Sequence, residues 1–437
     1  MVLPMDSSVK PLPQLGELTA PLHAADMADL FQSLSAHNRV LLEEYLGEDL
    51  DPEVFVHLDE AVREDLIEEL DSKSLARVVT GLEVDDAVEL IEELEEADQQ
   101  ELLGNVPPVD RALYEEALGY PKDSAGRLMW CEYAAVPSIW NVGETIDYMR
   151  DDPDVPDAFY GFFVVGPDNK PLGVVMTSRL LRAQRSVPVT GLMAEDFRLI
   201  PATMDQEDVA FLFRQYGLVE APVIDEGGRI IGVITVDDVV DVIHEEHEED
   251  LLKLSGVAVD DLYEAVVDTI KSRMSWLVLN LMTAIMASVV IGFFQVEIEK
   301  IVALAVLMPI VASMGGNAGT QTLTVAVRAL AMKELTPRNA LRIVGKEMLV
   351  GGINGIVFVV LMGSIVYFWF SSLSIGIVIG VAMVINLLIA GLAGILIPLL
   401  IDRAGGDPAV GSSIVLTTVT DVVGFLCFLG LATIVLL

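Results

Sequence analysis

The chain has 437 residues, of which 53% are hydrophobic, and its formal net charge is −40 at pH 7. The charge is unevenly distributed: residues 1–272 carry 18 basic and 59 acidic side chains, whereas residues 273–437 carry 8 and 7. This contrast excludes a single globular domain and predicts an acidic soluble region followed by an apolar, membrane-embedded region.

The N-terminal segment 1–22 has no basic stretch followed by an apolar core, so we predict a disordered tail rather than a secretory signal. The two cysteines, Cys131 and Cys427, lie in different halves of the chain. That separation favours neither a disulfide framework nor a metal cluster, and we interpret both as buried thiols.

Residues 23–106 contain a repeat of twelve residues that aligns without gaps, and we predict an acidic helical-repeat domain over 23–122. The eighth and the last position of every repeat are apolar, a spacing of four that fits one face of a helix. We therefore expect short helices stacked so that these positions are buried, with the acidic outer face in solvent. The eighth positions are Leu30, Leu42, Val54, Leu66, Val78, Leu90 and Leu102.

Residues 123–240 contain two similar halves, represented by GFFVVGPDNKPLGVVMTSRLL and EAPVIDEGGRIIGVITVDDVVDVI. Each half reads as two short strands around a turn, followed by a helix, and the duplication resembles a tandem CBS module. Such modules bind adenine nucleotides through a T-x-x-D element, which the second half has as Thr235 and Asp238. The first half has Leu180 at the Asp position, which leaves the second half as the one candidate site for ATP. The alternative role for Thr235 and Asp238 is to cap a helix.

Residues 241–272 predict an acidic, mostly helical connector that runs into the first apolar span. His244 and His247 are three residues apart and have several carboxylates around them. The pattern is open to two interpretations, a transition-metal site or an exposed helix.

Five uncharged stretches in 273–437 each approach or exceed the ~20 residues that a spanning helix needs. We place a turn between the third and fourth at Ser371–Ser374. Lys and Arg residues cluster in alternate loops, which puts the acidic region in the cytoplasm and the C-terminus outside the cell. The predicted spans are about 274–296, 299–331, 343–370, 375–401 and 408–437.

The second span contains the polar segment MGGNAGTQT, Met314 to Thr322. Its glycines allow either a local break in the helix or close packing through small residues. A break would free carbonyl oxygens beside an Asn and Thr hydroxyls, and such hard oxygen ligands suit Mg²⁺ or Ca²⁺.

The last span contains Asp421, the one ionisable side chain that the sequence puts deep in a span. A carboxylate in a membrane costs at least ~2.5 kcal/mol and marks a functional site by default, although a capped or packing Asp is the alternative. Thr417, Thr418 and Thr420 share its turn and are candidates for hydrogen bonds between helices.

The order of these regions, with the segments PIVASMGGNAGTQTLTVAVRAL and TDVVG, resembles the MgtE family of magnesium channels along nearly the whole chain. The resemblance implies a homodimer with the ion path on its two-fold axis and Asp421 at the central ion site. It also implies that the connector is a plug helix. The pore wall would include Pro309, Gly316, Asn317, Thr320 (Asn in the family) and Gln321, to which we add Gly315 and Thr417 as neighbours, and the regulatory Mg²⁺ ligands would be Asp238, Glu246, Glu249 and Asp250.

We therefore expect a Mg²⁺ channel or transporter in the inner membrane that internal Mg²⁺ closes by drawing acidic cytosolic faces together. A transporter of Co²⁺ or Ca²⁺, a CBS-linked membrane sensor without transport, and a chloride channel with CBS modules are the alternatives. The sequence has no phosphate-cradling loop, nucleophile elbow or zinc-ligand spacing, so we expect no enzyme, and we expect no nucleic-acid partner.

The fold class that follows is multidomain. It combines an all-α superhelical repeat domain, an α/β tandem CBS module, an acidic connector helix and an α-helical transmembrane domain of five helices.

Overall fold

The computed structural model describes residues 22–436 apart from 95, 154, 157, 195, 258–265 and 337. All but the last residue of the predicted disordered tail, 1–22, lies outside the described residues. The chain forms two compact units, Met1–Glu245 and Glu246–Leu437.

The first part of the first unit is a stack of short helices that follows the twelve-residue repeat. The buried eighth positions, from Leu42 to Leu102, form the core that joins successive helices, because each repeat turns the same face inward. The cap of α5 shows how a repeat begins: the Asp71 side chain accepts a hydrogen bond from the backbone N–H of Ser74. The helices are α1 (Ala24–Gln32), α2 (Ala36–Leu46), α3 (Glu53–Val56), α4 (Glu60–Glu69), α5 (Ser72–Thr80), α6 (Val84–Glu92), α7 (Glu96–Asn105) and α8 (Pro108–Leu118).

The second part of this unit contains two three-stranded sheets of the same topology. In each sheet the first strand runs parallel to the second, and the second pairs antiparallel with the third. Phe163 pairs with Val174 in one sheet, and Val223 pairs with Gly232 in the other. The elements are β1 (Ala135–Pro137), α9 (Val142–Asp151), β2 (Gly161–Val165), β3 (Pro171–Met176), α10 (Thr177–Arg182), β4 (Ile200–Pro201), α11 (Gln206–Tyr216), β5 (Glu220–Ile224) and β6 (Ile230–Thr235).

A long acidic helix, α12 (Val236–Ser255), begins directly after β6. The predicted connector 241–272 starts inside this helix, five residues after its first residue. Part of the predicted connector, 258–265, lies outside the described residues.

Among the described residues of the second unit, five helices are long and apolar enough to cross a membrane. Ser371 and Ser372 separate the third from the fourth, and the Ser372 hydroxyl caps the fourth by accepting from the N–H of Ile375. The helices are α13 (Val266–Gly292), the short α14 (Gln295–Lys300), α15 (Ala303–Ala331), α16 (Ala340–Phe370), α17 (Leu373–Arg403) and α18 (Ser412–Leu436).

The predicted alternative of a local break at Gly315 and Gly316 is wrong, because α15 is a continuous helix across the whole polar segment. Its backbone carbonyls remain in helical hydrogen bonds and are not freed as ligands. The helix stays continuous because neighbouring helices pack closely onto Gly315 and Gly319, both of which are buried.

The predicted fold class is confirmed: helical repeats, paired α/β modules and five apolar helices follow one another along the chain. The helix that packs most extensively is α17, which contacts α15, α16 and α18. It therefore forms the centre of the membrane unit, and α15 and α18 also contact each other.

Candidate functional site

A polar stripe runs along one exposed face of α15. Its members recur every three or four residues, the spacing that keeps side chains on one side of a helix. Gly315, Gly319 and Leu323 are buried on the opposite side. The stripe consists of Pro309, Ser313, Asn317, Thr320, Gln321 and Thr324, all of them exposed.

The stripe presents unpaired polar groups. The side-chain amides of Asn317 and Gln321 make no hydrogen bond to any residue that the structure describes. Thr324 donates its hydroxyl to the carbonyl oxygen of Thr320, 3.0 Å away. In hydrocarbon each unpaired group costs several kcal/mol. This face of α15 therefore needs either water or another protein surface in front of it.

The glycines of the same segment divide into two kinds. A Cβ on Gly319 would lie 3.0 Å from Leu416 of α18, and a Cβ on Gly394 of α17 would lie 3.0 Å from the carbonyl oxygen of Gly319. Gly315 lies against Asn386 of α17. Gly316, in contrast, has open space where its side chain would be. Gly315 and Gly319 thus serve helix packing, whereas Gly316 is on the open side.

Asp421 lies on α18 with its side chain half-buried, and Thr417 is exposed one turn before it on the same face. The carboxylate of Asp421 forms no ion pair or hydrogen bond with any described residue. Because α18 packs against α15, this acid belongs to the same pair of helices as the polar stripe.

The neighbouring threonine hydroxyls do not join helices, which corrects one of the sequence-based interpretations. Thr417 donates to the carbonyl oxygen of Ser413 at 2.9 Å, and Thr418 donates to that of Ile414 at 2.7 Å. Thr420 donates to the carbonyl oxygen of Thr417 at 3.0 Å. Each hydroxyl is satisfied within its own helix, because a carbonyl three or four residues back is always within reach.

Two polar residues of this bundle were missed by the sequence-based reasoning. Glu347 of α16 accepts a hydrogen bond from the hydroxyl of buried Thr322 at 3.2 Å, and its side chain is only 15% exposed. Asn386 of α17 is 1% exposed. The sequence signal for Asn386 is a single Asn within an apolar run. Asn354 on α16 has the same sequence context but is exposed, so this signal alone does not distinguish a buried Asn from an exposed one.

In the first unit, an acidic cluster lies where the helical repeats meet the helix that follows the second sheet. It consists of Glu83, Asp85 and Asp86 around the start of α6 and Asp238 at the start of α12. Burial and the neighbouring Asp86 and Asp238 raise the pKa of Asp85, one of whose carboxylate oxygens is buried without a partner among the described residues. Burial, Glu89 and Asp238 raise the pKa of Asp86 to about 7.

Burial is also the largest cause that raises the pKa of Asp238, with Asp237 adding to it. For Glu83 the pKa is raised by burial first and then by Glu132 and Asp238. These carboxylates therefore destabilise one another when all are ionised, and a cation between them would relieve the repulsion. Glu83, Asp85 and Asp86 were not predicted as site residues, since nothing in the sequence brings them to Asp238.

Thr235 and Asp238, the predicted nucleotide-binding pair, hydrogen-bond to each other. The Asp238 carboxylate accepts from the Thr235 hydroxyl at 2.6 Å and from its backbone N–H at 3.3 Å. This is the pattern of a helix cap at the start of α12. Asp238 thus caps its helix and at the same time contributes to the acidic cluster.

The other predicted regulatory ligands, Glu246, Glu249 and Asp250, are half-buried and share one face of α12. His244 and His247 are exposed on that helix. Within the described residues, no three His, Cys, Asp or Glu side chains are grouped to hold one metal ion. That geometry does not support the transition-metal interpretation of the two histidines.

The end of α12 contacts the connection between α17 and α18. The Nζ atom of Lys253 lies 2.5 Å from Glu249 Oε1 and 3.0 Å from Asp407 Oδ2. Burial is the first cause that raises the pKa of Asp250, and Asp407 is the second. Leu254 packs against a cluster of apolar residues from α15, α17, α18 and that connection: Leu323, Val327, Ala393, Ala409 and Leu416.

Comparison with known proteins finds three family models that match parts of the chain. The MgtE divalent cation transporter model matches residues 308–431, the MgtE intracellular N domain model matches 22–123, and the CBS domain model matches 189–245.

Full-length relatives match nearly the whole chain. The chain is 31% identical over 428 residues to a protein of Thermus thermophilus called magnesium transporter MgtE, covering 97% of this chain and 95% of that one. A Bacillus subtilis protein of the same name is 27% identical over 414 residues, covering 94% and 92%. A crystal structure of the cytosolic domain of the Mg²⁺ channel MgtE in complex with ATP is 30% identical, with a TM-score of 0.48, and covers 53% of this chain and 94% of that one.

Proposed function

Because the chain belongs to the MgtE family of magnesium transporters, we propose that it carries Mg²⁺ across a bilayer along a path between α15 and α18. The observation that carries this proposal is the exposed polar stripe of α15 beside the half-buried, unpaired carboxylate of Asp421. A membrane protein retains such groups where water or an ion meets them. Oxygen ligands of this kind suit a hard dication, and they favour neither zinc nor copper.

We propose that the functional protein is a homodimer. Five helices are few to enclose a pore, and one protomer leaves the stripe of α15 uncovered. A second copy that turns the same face inward would cover it and place two Asp421 carboxylates opposite each other. Those carboxylates would repel one another when empty, and a dication would neutralise both. Since Mg²⁺ sheds water reluctantly, the proposed site holds a largely hydrated ion through its water molecules.

The orientation of the chain is proposed from its loops. Arg328, Lys346 and Arg403 are near loops on the side of the membrane where the first apolar helix begins, and Lys300 is on the other side. The positive side is cytoplasmic by the usual rule. This supports cytoplasmic N-terminal domains in an inner membrane and a C-terminus outside.

The acidic cluster is proposed to be the sensor of internal Mg²⁺. Asp85 and Asp86 come from the helical repeats, whereas Asp238 begins the helix that leads toward the membrane unit. Their mutual repulsion favours separation, and a dication between them favours a compact arrangement. A ligand shifts an equilibrium only by its preference for one state, and the compact state is the one that holds Asp238 close to Asp85 and Asp86.

The end of α12 is proposed to transmit this change to the ion path. Lys253 contacts Asp407 in the connection between α17 and α18, and Leu254 packs against residues at the cytoplasmic ends of α15 and α18. Compaction that moves α12 would move those ends, and Mg²⁺ accumulation would then stop further entry.

ATP binding at the second CBS half stays a prediction. Thr235 and Asp238 are bonded to each other, so a ribose would have to share or replace that hydrogen bond. The acidic cluster around Asp238 also disfavours the phosphates of a free nucleotide, and we therefore expect any bound ATP to be its Mg²⁺ complex.

The test is Mg²⁺ flux in proteoliposomes that contain the full chain. We expect saturable uptake, with Mg²⁺ preferred over Co²⁺ and Ca²⁺, and reduced uptake when millimolar Mg²⁺ is present on the side of the cytosolic domains. Asp421→Asn should lower flux by at least about tenfold, because it removes the charge that attracts the ion. Ser364→Ala, on an exposed face of α16, is the matched control. Normal flux through Asp421→Asn would refute the assignment.

A further inference from the structure

The centre of the membrane unit contains a buried amide whose bonding capacity is only partly used. Asn386 of α17 is 1% exposed, and its Nδ2 donates a hydrogen bond to the carbonyl oxygen of Val311 on α15 at 2.9 Å. Its Oδ1 is buried and has no hydrogen-bond partner among the described residues. A buried polar atom without a partner destabilises a protein, and more so within a membrane. Packing alone would be better served by an apolar side chain here.

Glycines flank this amide on both sides. A Cβ on Gly424 of α18 would lie 2.7 Å from Asn386 Nδ2, and a Cβ on Gly315 of α15 would overlap the same atom. The Oδ1 atom is 3.1 Å from the Cβ position of Gly315 and 3.4 Å from that of Gly424. The three helices α15, α17 and α18 therefore meet at one layer around a single side chain.

This layer is next to both parts of the proposed ion path, the polar stripe of α15 and the Asp421 carboxylate of α18. Gly315 immediately precedes Gly316 and Asn317 on α15, and Gly424 lies one helical turn after Asp421 on α18. A shift of either helix along its axis would separate Asn386 from Val311 or drive a glycine backbone into the amide. The layer thus fixes the height of the polar stripe relative to the Asp421 carboxylate.

We propose that Asn386 is a positioning residue for ion transport, whose amide sets the register between the Gly315–Asn317 segment and Asp421. The inference rests on the proposed Mg²⁺ path between α15 and α18. Asn386 is buried between helices, away from the exposed polar stripe, so its role is to place the groups of the path.

The experiment compares Asn386→Leu and Asn386→Asp in full-length protein reconstituted in liposomes. Leu branches at the same atom as Asn but has no hydrogen-bond donor, so the register between α15 and α18 should loosen. We expect an apparent KM for Mg²⁺ about fivefold or more above the wild-type value, with weaker discrimination against Co²⁺. Asn280→Leu is the control, since among the described residues the Asn280 amide donates only to the carbonyl oxygen of Trp276, in its own helix. We expect its KM to be unchanged.

Asn386→Asp separates positioning from stability. A protonated carboxyl group still offers one donor to Val311, whereas the ionised form offers none. Relative to wild type at each pH, its KM at pH 6 should be closer to the normal value than that of Asn386→Leu, and it should shift only toward that of Asn386→Leu as the pH rises to 8. A wild-type KM and Co²⁺ discrimination for Asn386→Leu, or a KM for Asn386→Asp that stays altered to the same extent at both pH values, would overturn the inference. If Asp421→Asn loses Mg²⁺ flux while Asn386→Leu keeps a wild-type KM, only the positioning role of Asn386 is refuted. If Asp421→Asn has normal flux, the proposed ion path itself is refuted.

Discussion

Lys253 Nζ lies 3.0 Å from Asp407 Oδ2, so an ion pair joins the last turn of α12 to the connection between α17 and α18. Burial lowers the pKa of Lys253, but hydrogen bonds to Glu249 and Asp407 raise it by more, so the net effect is a raised pKa. The lysine therefore stays charged throughout the neutral range. Asp407 also accepts a hydrogen bond from the N–H of Ala409, which holds the carboxylate toward the lysine. The cytosolic helix is therefore attached to the segment that leads into the helix of Asp421.

The first prediction concerns this ion pair. Lys253→Met should raise the concentration of internal Mg²⁺ needed for half-inhibition of uptake by about two- to fivefold, the effect of losing about 0.5–1 kcal/mol from a partly exposed pair. Asp407→Asn should act in the same direction. Liposome uptake with Mg²⁺ varied on the side of the cytosolic domains measures both.

The double variant, Lys253→Met with Asp407→Asn, is the control for this prediction. It should shift half-inhibition no further than the larger of the two single effects, because both changes remove the same contact. Single effects that add in the double variant would show that the contact does not transmit the signal.

The second prediction concerns pH. The pKa of Asp86 is raised from its ordinary 3.8 to about 7, so its ionised form opposes the contact that buries it. This ionisation does not affect the stability of the contact below about pH 4. Between about pH 4 and pH 7 it weakens the contact by at most about 1.4 kcal/mol for each pH unit, and above about pH 7 the loss of stability is constant. Without Mg²⁺, limited proteolysis of the full chain should therefore be faster at pH 8 than at pH 6.

Mg²⁺ should abolish that pH dependence, since it neutralises the same carboxylates. Asp86→Asn should reduce the dependence without Mg²⁺, while Asp26→Asn, an exposed acid on α1, should leave it as in wild type. If Asp86→Asn digests with the wild-type pH profile, the cluster is not the source of the effect.

The third prediction tests the proposed dimer. In a background without Cys131 and Cys427, Ser313→Cys on the polar stripe of α15 should form a disulfide-linked dimer under mild oxidation in the membrane. Ser364→Cys on the exposed face of α16 should not. Gel electrophoresis without reductant reports the product, and equal cross-linking of both variants would argue against a two-fold axis along α15.

The fourth prediction compares two neighbouring glycines of α16. A Cβ on Gly351 would lie 2.8 Å from the carbonyl oxygen of Leu387, whereas one on Gly352 would make only an ordinary contact of 3.6 Å with Leu388. Gly351→Ala should destabilise the membrane unit by about 1–3 kcal/mol because backbone must move. Gly352→Ala should be neutral or stabilising, since Ala is the better helix former. Thermal unfolding in detergent distinguishes them, and equal midpoints would refute the packing argument.

Local periodicity was sufficient for much of the fold. The twelve-residue period identified the buried positions of the helical repeats, since a helix that stacks on its neighbours must be apolar at fixed intervals. The runs of uncharged residues identified the membrane helices, because length and hydropathy alone decide whether a segment can span a bilayer. The polar segment after Met314 and the lone Asp421 likewise stood out without any structure.

Contacts between distant residues had to come from the tertiary structure. Glycine permits either a break or a close contact, and only the presence of Asn386 against Gly315 decided between them. Asp85 became a candidate regulatory residue because the fold brings it close to Asp238, more than a hundred residues away in the chain. The sequence by itself determined which segments are helices and which groups are too polar for their surroundings; the three-dimensional packing decided which of those groups meet, because charge and hydrogen bonding act over a few ångströms of space whatever the separation along the chain.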